Sequence, residues 1–296
     1  MNVTSADGTT IAFNERGSGA PVILVGGAFN DRTTVAGLAE VLAGDFTTIA
    51  YDRRGRGDSG DAAEYAFERE IEDIAALIEH AGGSASVFGH SSGAVLTLEA
   101  AAAGLPIEKV VAYEPPYATP EHARADVLDE VKAQLAAGDR DAAVATFLRV
   151  AGTPAEMVEG MKQAPVWGWF TALAHTLPYD LTICGPGARV REDHLAKISI
   201  PTLVIGLHPT QSYYGSSDSD DDSFYYSARC NTVTGLFLTA NGNYLYYIDQ
   251  LGSRLQVLMG VIILTLSTLY VLRFATVERL LLTDPPSSTV AGLSSS

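Results

Sequence analysis

The stretch "SASVFGHSSGAVLTLEAAAAG", residues 84–104, decides the fold class. It begins with an apolar, partly β-branched run that is typical of a buried strand, and it ends with strong helix formers. Between the two lies the G-x-S-x-G pattern "GHSSG", residues 89–93. Because Gly89 and Gly93 leave room for a tight strand-to-helix bend, the pattern predicts that Ser91 is presented as a nucleophile. The helix that follows would direct its N-terminal amides at a developing oxyanion.

The sequence on both sides of this stretch alternates strands with helices. Residues 3–15 form two alternating runs around an Asp7-Gly8 turn, which predicts a hairpin. "PVILVGG", residues 21–27, is a short apolar run that ends in glycines, as expected of a buried parallel strand. "KVVAYEPP", residues 109–116, is a further strand that two prolines end. The repeated alternation predicts an α/β fold with a mostly parallel sheet covered by helices on both faces.

Two of the connecting helices have recognisable boundaries or faces. Asn30 or Asp31 is placed to cap a helix in "RTTVAGLAEVLAG", which Gly44 ends. A second helix, at residues 68–81, turns one apolar face toward the core. That face is formed by Ile71, Ile74, Ala75 and Leu77.

The composition narrows the classes of function. The chain has 296 residues, enough for one large core, and its formal net charge of −16 without a basic stripe argues against a nucleic-acid partner. Two cysteines, Cys184 and Cys230, make neither a disulfide framework nor a metal cluster, and they fit a reducing compartment. The first residues lack the basic and apolar regions of a secretory signal, so we expect a cytoplasmic protein.

These motifs together resemble the α/β-hydrolase family over residues 1 to about 206. "LVGGAFND", residues 24–31, matches the oxyanion loop that follows the third strand in that family. The resemblance implies that the backbone amides of Ala28 and Ser92 form an oxyanion hole. It also implies a serine mechanism, which needs no metal and no organic cofactor. The loop carries two glycines where a His-Gly pair is more usual, Gly26 and Gly27.

The resemblance also covers the connection after the fourth strand. "YDRRGRGDSG", residues 51–60, is similar to the turn that many members have there. We interpret it as a glycine-rich connection in which Arg53, Arg54 and Asp58 have no chemical role.

The family's architecture divides the first part of the chain into a core and an inserted lid. Residues 1–116 are expected to form the α/β-hydrolase core, and residues 117–195, after "YEPP", a helical lid. The apolar run in "ISIPTLVIGL" predicts core strand seven at residues 196–206. Five side chains of the lid either wall an apolar pocket or simply pack together: Trp167, Trp169, Phe170, Met157 and Met161.

The catalytic base is the element that departs from the family pattern. Members carry the acid after strand seven or strand six and the histidine after strand eight. Glu114 follows strand six and is the candidate acid. We recognise no strand eight with a histidine turn, and residues 209–296 contain no histidine. His175 of the lid is the candidate base, with a substrate contact or a structural role as the alternatives. The other histidines lie on predicted surfaces, beside the nucleophile or near the acid's usual place: His80, His90, His122, His194 and His208.

The amino-acid composition of the chain changes after strand seven. Alanine nearly vanishes while serine and tyrosine become dense, which indicates a domain boundary, a fusion or a frame error. Residues 207–254 predict an atypical acidic linker with a hairpin around Asn241-Gly242, and their acidic run does not fit a calcium loop. Residues 255–272 are uncharged and apolar, and predict either a transmembrane helix or a buried core segment. Residues 283–296 predict a disordered tail.

Three hypotheses of function follow. The first is a serine hydrolase of small apolar esters or related substrates, whose activity depends on a histidine outside the usual place. The second is a non-catalytic hydrolase-like protein, soluble or anchored to a membrane through residues 255–272. The third is a defective hydrolase whose normal ending was replaced. A small-molecule substrate is the expected partner, and the oligomeric state is left open.

Overall fold

An eight-stranded, mostly parallel sheet is the framework of the part of the chain that the structure describes. The computed structural model describes residues 1–118, 123–206 and 233–237. The strands are β1 (Asn2–Thr4), β2 (Thr10–Arg16), β3 (Ala20–Val25), β4 (Phe46–Tyr51), β5 (Ala85–His90), β6 (Ile107–Tyr113), β7 (Thr202–Gly206) and β8 (Val233–Phe237). Their order in the sheet is β1-β2-β4-β3-β5-β6-β7-β8. Strands β3 to β8 run parallel to one another, while β1 and β2 form an edge in which β1 is antiparallel to β2 and β2 is antiparallel to β4. The predicted fold class is therefore confirmed.

The N-terminal hairpin is the one that the alternating pattern predicts. β1 pairs antiparallel with β2, and the turn between them is closed by the Ser5 amide, which donates to the Thr9 carbonyl at 2.8 Å. The Asp7 carboxylate accepts a hydrogen bond from the Thr9 amide at 2.9 Å. Gly8 has a φ of 86°, a left-handed conformation that glycine adopts without steric cost.

Nine α-helices connect or cover the strands within the described ranges. They are α1 (Ala36–Leu42), α2 (Phe67–His80), α3 (Ser92–Ala102), α4 (Val127–Ala136), α5 (Arg140–Val150), α6 (Ala155–Met161), α7 (Val166–Ala172), α8 (Leu177–Cys184) and α9 (Glu192–Leu195). Two single 3-10 turns, Ala174–Thr176 and Pro186–Ala188, flank α8. The predicted face of α2 buries Ile74 and Leu77, while Ile71 and Ala75 are half-buried.

Helix α1 starts later than the sequence predicts. The Asp31 carboxylate does accept hydrogen bonds from backbone amides, at 2.8 Å from Thr33 and 3.2 Å from Thr34, but these bonds close a turn. The Asn30 side chain is also engaged elsewhere, because it accepts a hydrogen bond from the Gly27 amide at 3.0 Å. The helix therefore begins only at Ala36, and the prediction that Asn30 or Asp31 caps it is wrong.

An eighth strand is present in the run before Asn241-Gly242, which the sequence predicts as the first strand of a hairpin and not as the family's strand eight. Val233–Phe237 pairs in parallel with β7, from Thr202 opposite Val233 to Gly206 opposite Phe237. A parallel neighbour satisfies the backbone groups that β7 would otherwise leave unpaired at the edge of the sheet. A sheet that lacks its last strand, which the hypothesis of a defective hydrolase implies, is therefore not found in the described residues. The turn at Asn241-Gly242 and the second strand of that predicted hairpin lie outside the described residues.

The membrane prediction also falls outside the described part of the chain. Among the residues that the structure describes, no helix is both long enough and apolar enough to cross a bilayer. The apolar segment at residues 255–272 and the tail at 283–296 are not among those residues.

The main hydrophobic core lies between the sheet and helices α2 and α3. Helix α3 is buried along its length, with only Ala102 among its residues half-exposed. Helices α8 and α9 add Ile183 and Leu195 to this core. Because α3 is enclosed in this way, the residue that precedes it is held on a rigid support.

A second hydrophobic cluster is formed by helices α4 to α7 in the segment predicted as a lid. It includes Val131, Val144, Val158 and Trp167, together with Phe29 from the loop after β3. Met161 and Phe170 pack on it, and Trp169 is 43 % exposed. The helices of this segment thus contact the loop that follows β3, and their role as a lid stays a prediction.

Candidate active site

Ser91 occupies a strained bend between β5 and α3. Its φ of 56° and ψ of −124° form a combination that only glycine adopts without cost. A Cβ on Gly89 would lie 2.4 Å from the Gly93 carbonyl oxygen, and a Cβ on Gly93 would lie 2.6 Å from the carbonyl oxygens of Val25 and Gly26. The two motif glycines are therefore required by close backbone contacts.

The loop 24–31 lies directly against this bend. A Cβ on Gly27 would be 2.9 Å from the Cβ of Ser91 and 3.0 Å from the His90 carbonyl oxygen. Ala28 follows Gly27 in the loop, and Ser92 is the first residue of α3, where amides have no acceptor within the helix. The two amides that the sequence predicts as oxyanion donors thus belong to the two segments that meet at Ser91.

Three of the four non-glycine residues with a positive φ in the described ranges lie at the carboxyl ends of neighbouring strands. Phe29, Ser91 and Glu114 are non-glycine residues with φ values of 58°, 56° and 50°. They follow β3, β5 and β6, which are adjacent in the sheet, at the carboxyl ends where parallel sheets bind ligands. Strain of this kind persists where the surroundings enforce it, most often at functional sites.

Glu114, the predicted acid, is half-buried at this edge. Its amide donates to the Ile205 carbonyl of β7 at 2.7 Å. Burial raises the pKa of its carboxyl group, and a hydrogen bond with the Tyr113 side chain offsets only part of that rise. The structure therefore places Glu114 and Ser91 at the carboxyl ends of two neighbouring strands, β6 and β5.

His175, the candidate base, has both ring nitrogens near backbone carbonyl oxygens. Its Nε2 lies 2.9 Å from the Gly55 oxygen and its Nδ1 lies 3.2 Å from the Ala172 oxygen. These contacts hold the imidazole between the 51–60 turn and the end of α7. They do not include the Ser91 hydroxyl.

The other described histidines are also engaged elsewhere. His90 packs 5.6 Å from the Tyr113 ring, and burial lowers its pKa to about 4. His80 contacts Glu15 at 2.9 Å, and His194 contacts Glu99 at 2.7 Å. Within residues 1–118 and 123–206, no histidine hydrogen-bonds to the Ser91 hydroxyl. His122 and His208 lie outside the described residues.

A buried ionic network beneath Ser91 is the part of the site that the sequence reading missed. Arg53 is fully buried and binds Glu70 of α2 through two hydrogen bonds of 2.6 and 2.8 Å. Its third nitrogen donates to Asp180 of α8 at 2.8 Å and to the Gly26 carbonyl at 3.2 Å. Arg56 donates to the other oxygen of Asp180 at 2.7 Å.

Two groups of this network, Asp180 and Arg53, are charged despite their burial. Burial alone would raise the pKa of Asp180. The charges of Arg56 and Arg53 lower it by more than burial raises it, so the pKa of Asp180 is below its usual range. Burial likewise opposes the charge of Arg53, and Glu70 and Asp180 outweigh it, which raises the pKa of Arg53. A buried charge that loses its partner is costly, so each member depends on the others.

The neighbouring arginine serves the fold. Arg54 binds Asp73 of α2 through hydrogen bonds of 2.9 and 2.7 Å and reaches Asp7 of the N-terminal hairpin at 2.8 Å. Asp58 pairs with Arg32 at the surface. The interpretation of residues 51–60 as a plain connection therefore missed several buried ion pairs. The signal in the sequence was a pair of adjacent arginines, Arg53 and Arg54, followed by two acidic residues on the inner side of α2.

Comparison with known proteins shows the family of the chain. A family model described as the alpha/beta hydrolase family matches residues 20–238. The chain belongs to the alpha/beta hydrolase family. A solved alpha/beta hydrolase from Sphaerobacter thermophilus is 44 % identical, with a TM-score of 0.72, over 81 % of this chain and 93 % of that one.

Two curated proteins are similar to this alpha/beta hydrolase over shorter stretches. The uncharacterized hydrolase YraK of Bacillus subtilis is 36 % identical over 96 residues, which are 31 % of this chain and 35 % of that protein. N-formylmaleamate deformylase of Pseudomonas putida is 36 % identical over 108 residues, 35 % of this chain and 40 % of that protein. The matched stretch thus covers well under two thirds of either relative.

Proposed function

We propose that this alpha/beta hydrolase is a serine hydrolase in which Ser91 attacks the carbonyl carbon of a small acyl substrate. The observation that carries the proposal is the strained bend that holds Ser91 against the loop 24–31. In the proposed reaction the Ser91 oxygen bonds to the carbonyl carbon, and its proton passes to an imidazole. The leaving group departs with a proton, and water then hydrolyses the acyl-enzyme.

The oxyanion hole of the proposal is built from the amides of Ala28 and Ser92. Removal of one such donor typically lowers kcat by about 10²- to 10³-fold. Glu114 is the proposed acid, because an acid after strand six can orient an imidazole at the same edge of the sheet. His175 and His208 are the candidates for that imidazole.

An apolar substrate is supported by the side chains beside the hole. Phe29 directly follows Ala28, and its ring lies 4.5 Å from that of Phe170 and 5.4 Å from that of Phe147. Short-chain and medium-chain esters are therefore the first substrates to test. The relative from Pseudomonas putida is named for removal of a formyl group, so N-formyl amides belong in the same panel.

A fluorophosphonate probe and p-nitrophenyl esters test the proposal together. We expect the folded protein to be labelled and to turn over esters, and Ser91→Ala to abolish both. Ser84→Ala is the matched control, because the Ser84 hydroxyl binds Glu108 at the surface, 2.7 Å away, and should be dispensable. Turnover that survives in Ser91→Ala would refute the assignment. His175→Gln and His208→Gln then identify the base by the loss of kcat.

A non-catalytic role is the second candidate, and one sequence feature favours it. The family's histidine after strand eight has no counterpart, since residues 209–296 contain none. In that case the folded wild-type protein would resist the probe and hydrolyse no ester above the Ser91→Ala background. Partition into a detergent phase, with and without residues 255–272, would separate a membrane-anchored form from a soluble one.

A further inference from the structure

Asp180 of α8 is joined to both segments that meet at Ser91. It is buried, and its Oδ1 accepts hydrogen bonds from the Ser92 hydroxyl at 2.6 Å and from Arg53 at 2.8 Å. Its Oδ2 accepts one from Arg56 at 2.7 Å. A single carboxylate of the segment predicted as a lid thus fixes three groups beneath the proposed nucleophile.

The first link runs through Arg56 to the loop after β3. The other terminal nitrogen of Arg56 donates to the Gly27 carbonyl oxygen at 2.5 Å. In a trans planar peptide the carbonyl and the following N–H point in opposite directions. The bond that holds the Gly27 carbonyl on Arg56 therefore also sets the direction of the Ala28 N–H, away from the arginine.

The second link runs through Ser92 to the start of α3. The Ser92 hydroxyl donates to Asp180, and Arg53 also contacts that hydroxyl at 3.3 Å. The side chain of the residue that supplies the second proposed donor is thereby fixed on the same carboxylate. Arg53 adds a contact of 3.2 Å to the Gly26 carbonyl, one peptide before the Gly27 carbonyl.

We propose that Asp180 is a positioning residue that aligns the two halves of the oxyanion hole, one through Arg56 and the other through Ser92. This inference rests on the proposed function for its effect on catalysis, whereas the alignment itself is a property of the loop and the helix. Transition-state stabilisation depends on donors held in place before the reaction, so misalignment should lower kcat more than it raises KM.

The chain offers a matched control in Asp73. Like Asp180, it is a buried carboxylate paired with a buried arginine, here Arg54 at 2.7 Å. The hydrogen bonds of Arg54 run to α2 and the hairpin, and none runs to the loop 24–31 or to Ser92. A general loss of stability should therefore appear in Asp73→Asn as well, whereas misalignment of the hole should appear only in Asp180→Asn.

Steady-state ester hydrolysis is the first measurement. We expect Asp180→Asn to lower kcat by about 10- to 100-fold with KM changed less than about threefold. Asp73→Asn should keep kcat within about threefold of the wild type at a temperature where both variants are folded. Equal losses of kcat in the two variants, or an increase of KM alone in Asp180→Asn, would overturn the proposal.

Hydrogen exchange of backbone amides tests the alignment of the loop after β3 without relying on turnover. Peptides that cover residues 26–31 should exchange faster in Asp180→Asn than in Asp73→Asn or the wild type, with each protein folded. Arg56→Lys is the second variant, because one ammonium cannot span both Asp180 and the Gly27 carbonyl, and it should reproduce the faster exchange. Unchanged exchange in that loop refutes the inference even if Ser91→Ala abolishes activity. If Asp180→Asn speeds exchange but the protein shows no Ser91-dependent turnover, the role of Asp180 in alignment is supported and the proposed function is rejected.

Discussion

Replacement of Ser91 by glycine should stabilise the protein while removing its nucleophile. At φ 56° and ψ −124° a residue with a Cβ is strained by about 1–3 kcal/mol, and glycine relieves that strain. Glycine also has more conformational entropy in the unfolded chain, which reduces the gain in the free energy of unfolding by about 0.4–1 kcal/mol. The net increase in the free energy of unfolding should be about 1 kcal/mol, or about 2–4 °C in Tm.

The comparison that isolates the strain is Ser91→Gly against Ser91→Ala, because both lack the hydroxyl and only alanine keeps the Cβ. Urea unfolding followed by circular dichroism, with the slope held common to both, gives the difference in the free energy of unfolding. Ser84, whose φ is not positive, supplies the control, since glycine there should be less stable than alanine. If Ser91→Gly proves no more stable than Ser91→Ala, the bend is not strained and the reasoning that marks this serine as functional fails.

Three further substitutions test other features of the site. Gly93→Ala should lower the free energy of unfolding by about 2 kcal/mol and slow probe labelling, because its Cβ would lie 2.6 Å from two backbone oxygens. Gly160→Ala should not have these effects, because its added Cβ would meet nothing within 4 Å beyond its own helix turn, and equal effects in urea unfolding would contradict the packing argument. The buried imidazole of His90 has a pKa of about 4 against about 6.5 when unfolded, so its contribution is full above pH 6.5 and is lost toward pH 4. The wild type should therefore lose about 3 kcal/mol relative to His90→Gln across that window, and parallel pH profiles would refute this. Trp169→Phe removes a 2.8 Å hydrogen bond to the Phe29 carbonyl and should slow the ester burst several-fold at nearly unchanged stability, which stopped-flow and urea unfolding measure. An unchanged burst would show that this bond does not hold the loop.

The local pattern of apolar and polar residues in the sequence was enough to predict most of the fold. The alternation of short apolar runs and helix formers gave the α/β class, and the Asp7-Gly8 turn gave the hairpin. The start of α1 was missed because Asn30 and Asp31 have several acceptable partners in sequence, and only the folded loop shows which ones they bind. β8 was predicted as a strand of a hairpin and not as the family's strand eight, because it carries no histidine turn and a long stretch of unusual composition separates it from β7.

The candidate site was predictable only where its residues are neighbours in sequence. Gly89, Ser91 and Gly93 form one short motif, so their spacing carries the geometry. Asp180 and Arg53, by contrast, are 127 positions apart, and their contact depends on how α8 packs against α3. An acidic residue in an amphipathic helix has no sequence feature that distinguishes a buried partner from a solvated one.

The enclosure of α3 has a consequence for any attempt to change what this protein acts on. A helix with neighbours on every side tolerates few substitutions, because added volume has no solvent to expand into. Libraries aimed at substrate range should therefore spare that helix and diversify α5 to α7, where Trp169 already reaches the surface. Natural selection for new substrates would meet the same limit on added volume in α3, so we expect variation to be confined to helices such as α5 to α7.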